Sequence, residues 1–194
     1  MKDNGFFFRF KLMLLMIASG MINAYCVFNF KIPVTHHTGN ATAIALSIYD
    51  LDRFLVLISI FTLFFLGSLC GSYLTYGDKF KRGFVILAIL TFLSNFLKDK
   101  SVYLLTFIFG FQNSLLIKYD DTLIRSSHIT GYLTDSAAII GRFFRDRDNS
   151  KLHISLFFLT SIFFFILGGV LFLFADDFSQ IVVSIIYVFL AITF

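Results

Sequence analysis

Long apolar runs alternate with short polar breaks along the whole chain. Six runs reach or approach the length needed to cross a bilayer: Leu12–Phe30, Phe54–Tyr76, Gly83–Leu97, Ser101–Ile117, Leu152–Ala175 and Phe178–Phe194. A crossing needs about 20 apolar residues, or about 17 at the short end. Gly83–Leu97 falls below that and would need tilt or a locally thinned bilayer. Two more stretches, Thr35–Tyr49 and Ser127–Phe144, are apolar but interrupted by a polar motif. The pattern predicts an all-α integral membrane protein with six transmembrane helices and two broken, re-entrant half-helices.

The interrupting motif is written twice. Thr35-His36-His37-Thr38-Gly39-Asn40-Ala41-Thr42 is matched by Ser127-His128-Ile129-Thr130-Gly131-Tyr132-Leu133-Thr134. Upstream of each copy lies a Gly-x-x-Asn, Gly20 to Asn23 and Gly110 to Asn113. Polar clusters at matching places in an apolar chain are the mark of an internal repeat. The predicted halves run over about 12–97 and 101–194, within one membrane domain. Thr38 and Thr130 are the expected N-caps of the half-helices, each followed by a glycine that permits close backbone approach.

Loop charge separates two topologies, because Lys and Arg gather on the cytoplasmic side. With an inside N-terminus and re-entrant motifs, only Lys31, Arg53, Lys98 and Lys100 lie outside; the other 12 of the 16 lie inside. If both motif stretches spanned, 10 would lie inside. The re-entrant arrangement is therefore expected, with both termini cytoplasmic and Asp176 and Asp177 outside. Each half then crosses an odd number of times, so the second half is inverted relative to the first.

Composition fits this picture. The chain of 194 residues is 58% hydrophobic and 14% charged, with mean hydropathy +0.85; soluble domains carry about 25% charged residues. The net charge of +4 reports loop topology and not nucleic-acid binding. Cys26 and Cys70 sit inside apolar runs, as small buried hydrophobes. Lys2, Arg9 and Lys11 before the first run resemble a signal peptide, but Gly20 and Asn23 recur at Gly110 and Asn113, so the segment is expected to stay in the fold. Gly67-Ser68-Leu69-Cys70-Gly71 is a GxxxG; such faces pack helices within a chain, or offer a homodimer face through Gly67 and Gly71.

The segments Gly20-Met21-Ile22-Asn23-Ala24, Thr38-Gly39-Asn40-Ala41-Thr42, Gly110-Phe111-Gln112-Asn113-Ser114 and His128-Ile129-Thr130-Gly131-Tyr132-Leu133-Thr134-Asp135 together resemble the YoaK family. These are bacterial multi-pass membrane proteins described as a domain of unknown function. The resemblance implies a single six-span domain in the inner membrane and supplies no substrate. Ala43 stands where the second copy has Asp135, so a role needing a carboxylate falls on the second half alone.

Broken helices at matching positions of two halves point to a transporter binding site. A half-helix N-terminus offers unpaired N–H groups and the positive end of the helix dipole, which suit an anion or a polar solute. The expected solute contacts are Asn23, Thr38, Gly39, Asn40, Thr42, Asn113, His128, Thr130, Gly131 and Thr134. His36, His128 and Asp135 are candidates for proton coupling, since an ionisable group at membrane depth is costly and serves in relays. Each has a structural alternative: turn glycines, polar glue between helices for Asn23 and Asn113, and an ion pair of Asp135 with His128 or Arg142. Gln112 has no polar counterpart in the first copy and reads as structural. No catalytic set, cofactor or metal site is expected. The leading expectation is a transporter or channel-like protein for a small polar or anionic solute. The alternatives are a scaffold or accessory subunit and, third, an intramembrane lipid-acting enzyme. The expected partners are the bilayer and the solute.

Overall fold

In the computed structural model, which describes residues 5–77, 79–115, 117–120 and 122–194, the chain is all-α apart from one two-stranded ribbon. The helices are α1 Phe6–Phe30, α2 His37–Leu46, α3 Leu51–Leu74, α4 Phe80–Ser94, α5 Ser101–Asn113, α6 Ile129–Asp146, α7 Leu152–Ala175 and α8 Ser179–Thr193. The antiparallel ribbon, β1 Lys118–Tyr119 and β2 Thr122–Leu123, lies between α5 and α6. Asp120, at its turn, pairs with His153 at the start of α7 at 2.7 Å; the stack of Tyr119 on Phe157 anchors the same corner.

By length and composition, three helical stretches among the described residues can cross a membrane: Phe6–Phe30, Leu51–Leu74 and Leu152–Thr193, the last containing α7 and α8. The helices α4, α5 and α8 hold 15, 13 and 15 residues. At about 1.5 Å per residue they reach roughly 20–23 Å, less than the ~30 Å of hydrocarbon. The predicted run Ser101–Ile117 stops at Asn113, because the polar Gln112-Asn113-Ser114 turns the chain toward the ribbon.

The core is built around α1 and α5, whose Leu12, Met16, Leu105, Ile108 and Phe109 are fully enclosed. Outer helices turn large apolar side chains away from the protein, including Phe65 and Leu69 on α3 and Phe163 and Leu173 on α7. Exposed apolar surface on this scale is what a helical membrane protein presents to lipid. Lys11 is the exception inside α1. It is buried, its Nζ donates to the Thr193 carbonyl at the end of α8 (3.0 Å), and it lies 4.2 Å from the Phe194 ring centre. A helix C-terminus and an aromatic face both favour that cation.

The two halves are packed through each other. α1 lies on α7, α3 on α5 and α4 on α8, with α2 against α3 and α6 against α7. Exchanging α1 with α5, α2 with α6, α3 with α7 and α4 with α8 turns α1–α7 into α3–α5 and α2–α3 into α6–α7, and leaves α4–α8 as it is. The closest approaches match as well. A Cβ on Gly20 would lie 1.9 Å from the Phe165 carbonyl oxygen, and one on Gly110 would lie 2.0 Å from that of Phe64. Gly67 and Gly168 meet Phe107 and Ile17 in the same way, at 2.0 and 2.2 Å. The GxxxG face of α3 is thus taken up by α5 of the same chain. α4 and α8 run antiparallel: Ser184 Oγ donates to the Ala88 carbonyl, while Phe84 packs against Tyr187 and Phe194.

Candidate functional site

α2 and α6 start two residues earlier than N-caps at Thr38 and Thr130 would place them. The first helical carbonyls belong to His36, which accepts from Asn40 N–H (3.2 Å), and to His128, which accepts from Tyr132 N–H (3.0 Å). His36 and His128 are therefore the N-caps, and neither makes a side-chain cap hydrogen bond. Their rings fold back over the glycine three residues on. A Cβ on Gly39 would lie 3.3 Å from His36 Nδ1, and one on Gly131 only 2.0 Å from His128 Nε2. This contact explains the His-x-x-Gly spacing: glycine leaves room for the imidazole over the first turn.

One asparagine sets the lead-in to each of α2 and α6. Asn23 Oδ1 accepts from Thr35 N–H (3.3 Å) and Thr35 Oγ1 (2.8 Å). In the second copy, Asn113 Nδ2 donates to Ser127 Oγ, and Ser126 Oγ donates to Asn113 Oδ1 at 3.4 Å. Thr35 and Ser127 are matching positions of the repeat, so both copies are tied down by the same device. Behind Asn113 sits Gln112, fully buried. It donates to Ser19 Oγ and Ser126 Oγ and accepts from Tyr187 O–H. Gln112 thereby joins α1, α5, α8 and the lead-in to α6.

The two motifs face one cavity of about 780 Å³. Of the predicted residues, His36, Thr38, Asn113, His128, Thr130, Gly131, Thr134 and Asp135 line it. Asn23, Gly39, Asn40 and Thr42 do not. Asn40 is buried and donates to the Pro33 carbonyl (2.9 Å). The hydroxyls of Thr42 and Thr134 donate back to Thr38 and Thr130 carbonyls within their own helices. The cavity also draws Ser68 and Ser72 from α3, and His37, whose ring packs 3.8 Å from that of Phe64. Asp135 belongs to neither of the ion pairs found among the described residues, Arg145–Asp146 and His153–Asp120. Among the same residues no three His, Cys, Asp or Glu side chains converge on a common point.

Sequence reasoning passed over Arg125, which lines the cavity beside His128. Its backbone is gripped at both ends by the Tyr132 hydroxyl, which accepts from Arg125 N–H (2.7 Å) and donates to Arg125 C=O (2.8 Å). Its counterpart in the first copy is Pro33. That asymmetry was the available signal: a cation three residues before His128 where the other copy carries none.

In sum, the cavity wall carries hydroxyls, imidazoles, a guanidinium, one carboxylate and the first turns of two helices. Such a surface suits a small solute bearing negative charge or several hydrogen-bonding groups. A family model described as "Protein of unknown function (DUF1275)" matches residues 11–194. No curated protein and no solved structure matches the chain.

Proposed function

The chain belongs to this family of unknown function, and from its cavity we propose that it is a transporter or channel-like protein for a small polar or anionic solute. The observation that carries this reading is that both copies of a duplicated polar motif, far apart in sequence, line one cavity. Arg125 supplies the fixed positive charge. The α2 and α6 N-termini add their unpaired N–H groups, and Thr38 and Thr130 stand at the second position of each helix. His36, His128 and Asp135 are the groups that would couple a proton to the solute. A site of this make-up does not need a covalent step.

In this reading the chain is a YoaK-like inner-membrane protein with six crossings and both termini in the cytoplasm. α2 and α6 are re-entrant and the halves are inverted. Three features support it. α2 has 10 residues, about 15 Å of helix, too short to cross. The helix packing is unchanged when the halves are exchanged. The equivalent helices α4 and α8 lie antiparallel. The short α5 is the most enclosed helix, so it needs less apolar length than a lipid-facing span. Cysteines placed at Lys31 and Asp50, on either side of α2, should label from the same face of a sealed vesicle. Labelling from opposite faces would mean that α2 crosses.

Ligand binding follows from the cavity wall. A thermal-shift screen of small carboxylates and phosphates should find at least one that stabilises the protein. Arg125→Ala should weaken that ligand about 10–100-fold, as expected for losing a charge-assisted hydrogen bond of 1.5–3 kcal/mol. Undiminished stabilisation of the Arg125→Ala protein would remove Arg125 from the site.

A further inference from the structure

A second polar site lies at the opposite end of the core. Among the described residues, only five buried side-chain polar atoms lack a hydrogen-bond partner. One, His37 Nδ1, belongs to a residue of the cavity just described. The other four belong to Thr91 on α4, Ser101 on α5 and Gln180 on α8, and the Gln180 amide has neither its donor nor its acceptor used. All three side chains are at most 1% exposed. The antiparallel register that joins Ser184 to Ala88 sets Thr91 level with Gln180. Tyr25 lies beside Ser101 and Gln180, whose side chains face it without completing a hydrogen bond. Its ring is held edge-on by Phe30 and Phe172.

Tyr25 also lines a pocket of about 450 Å³, together with Asn29, Asn95, Lys98 and Asp177. This pocket and the first cavity sit at the two ends of α5: Ser101 opens that helix and Asn113 closes it, about 18 Å apart at 1.5 Å per residue. Between them, one face of α8 carries Gln180, Ser184 and Tyr187, all buried, and Tyr187 donates to Gln112. Polar side chains therefore mark the whole distance. Unpaired polar atoms gathered in an apolar core call for water or a ligand to complete them.

We propose that Thr91, Ser101, Gln180 and Tyr25 form a second, hydrated station that takes an uncharged hydroxyl- or amide-bearing part of the solute. It rests on the transport reading: it is the outer station of a path whose other end is the first cavity. The chemistry sets the class of ligand. An amide and three hydroxyls both donate and accept, and none of the four side chains is charged at neutral pH. Lys98, Asp99 and Asp177 confine charge to the mouth.

The test is thiol labelling of purified protein in a Cys26→Ala, Cys70→Ala background, using a small hydrophilic methanethiosulfonate reagent. Gln180→Cys should react at least tenfold faster than Ser161→Cys. Ser161 is equally buried, but its hydroxyl is satisfied by the Phe157 carbonyl within α7. Acetamide or glycerol should slow the Gln180→Cys reaction at least twofold. Ser101→Cys repeats the measurement from another helix, should Gln180→Cys fail to fold. Reaction no faster than at Ser161→Cys, or a rate indifferent to both solutes, overturns the proposal. The assay reads access and not flux, so it can stand or fall independently of uptake.

Discussion

Gly110→Ala is expected to destabilise the protein by about 3 kcal/mol, the upper end of the usual cost of overpacking a tight interface. The added methyl would meet the Phe64 carbonyl oxygen at 2.0 Å and the Ser68 nitrogen at 2.9 Å. Those are backbone atoms, which cannot swing aside as a side chain would. α3 and α5 would have to part, and Gly67, Gly71 and Gly110 all lie on the contact they share. Gly20→Ala should behave alike, because its methyl would meet Phe165 at 1.9 Å in the equivalent α1–α7 contact. Gly141→Ala is the control. Nothing lies within 4 Å of a Cβ there, and the site is inside α6, so alanine should be neutral or stabilise by up to ~1 kcal/mol. Denaturant unfolding in detergent micelles reads all three. Equal effects at Gly110 and Gly141 would mean that α3 and α5 do not pack as described.

Gln112→Leu is expected to do two things at once. It fills the same space but leaves the Tyr187 hydroxyl without a partner in the core, which costs about 2–3 kcal/mol. Ser19 loses less, since its Oγ also donates to the Leu15 carbonyl at 3.0 Å. The change also removes one of the two bonds that tie Ser126 to α5, leaving the contact with Asn113 Oδ1. Affinity for the solute should then fall along with stability. Tyr187→Phe separates the two effects, because it removes the α8 bond and keeps the Ser126 contact. It should cost about 1 kcal/mol and leave affinity nearly intact. Full affinity in Gln112→Leu would show that the lead-in is positioned without Gln112.

The apolar runs were enough to place most helices. α7 occupies Leu152–Ala175, as its run predicts, because nothing polar interrupts that stretch. Helix ends were harder. A threonine before a glycine reads as an N-cap by propensity, yet His36 and His128 hold that position. The glycine serves the imidazole, a contact between side chain and backbone that propensity does not encode. The duplicated motif pointed to one site because its two copies repeat each other. It also put Asn23 and Asn40 among the solute contacts, where they instead brace backbone. Polar residues in an apolar chain stand out whether they face a ligand or a carbonyl, and only coordinates tell them apart. Gln112, read as structural because its counterpart Ile22 is apolar, does bridge helices, whereas Arg125 was passed over because comparison of the copies favours residues present in both. The departures from the repeat, Arg125 for Pro33 and Asp135 for Ala43, are where the second copy brings charged side chains to the cavity wall that the first copy lacks.

Arg125 gives the central claim its most direct measurement, uptake of a panel of isotopically labelled small carboxylates and phosphates into proteoliposomes. The account predicts that at least one enters with the wild-type protein, and that Arg125→Ala cuts its initial rate about tenfold or more, the equivalent of losing one charge-assisted contact. Uptake by wild-type protein indistinguishable from protein-free vesicles across the panel would contradict it.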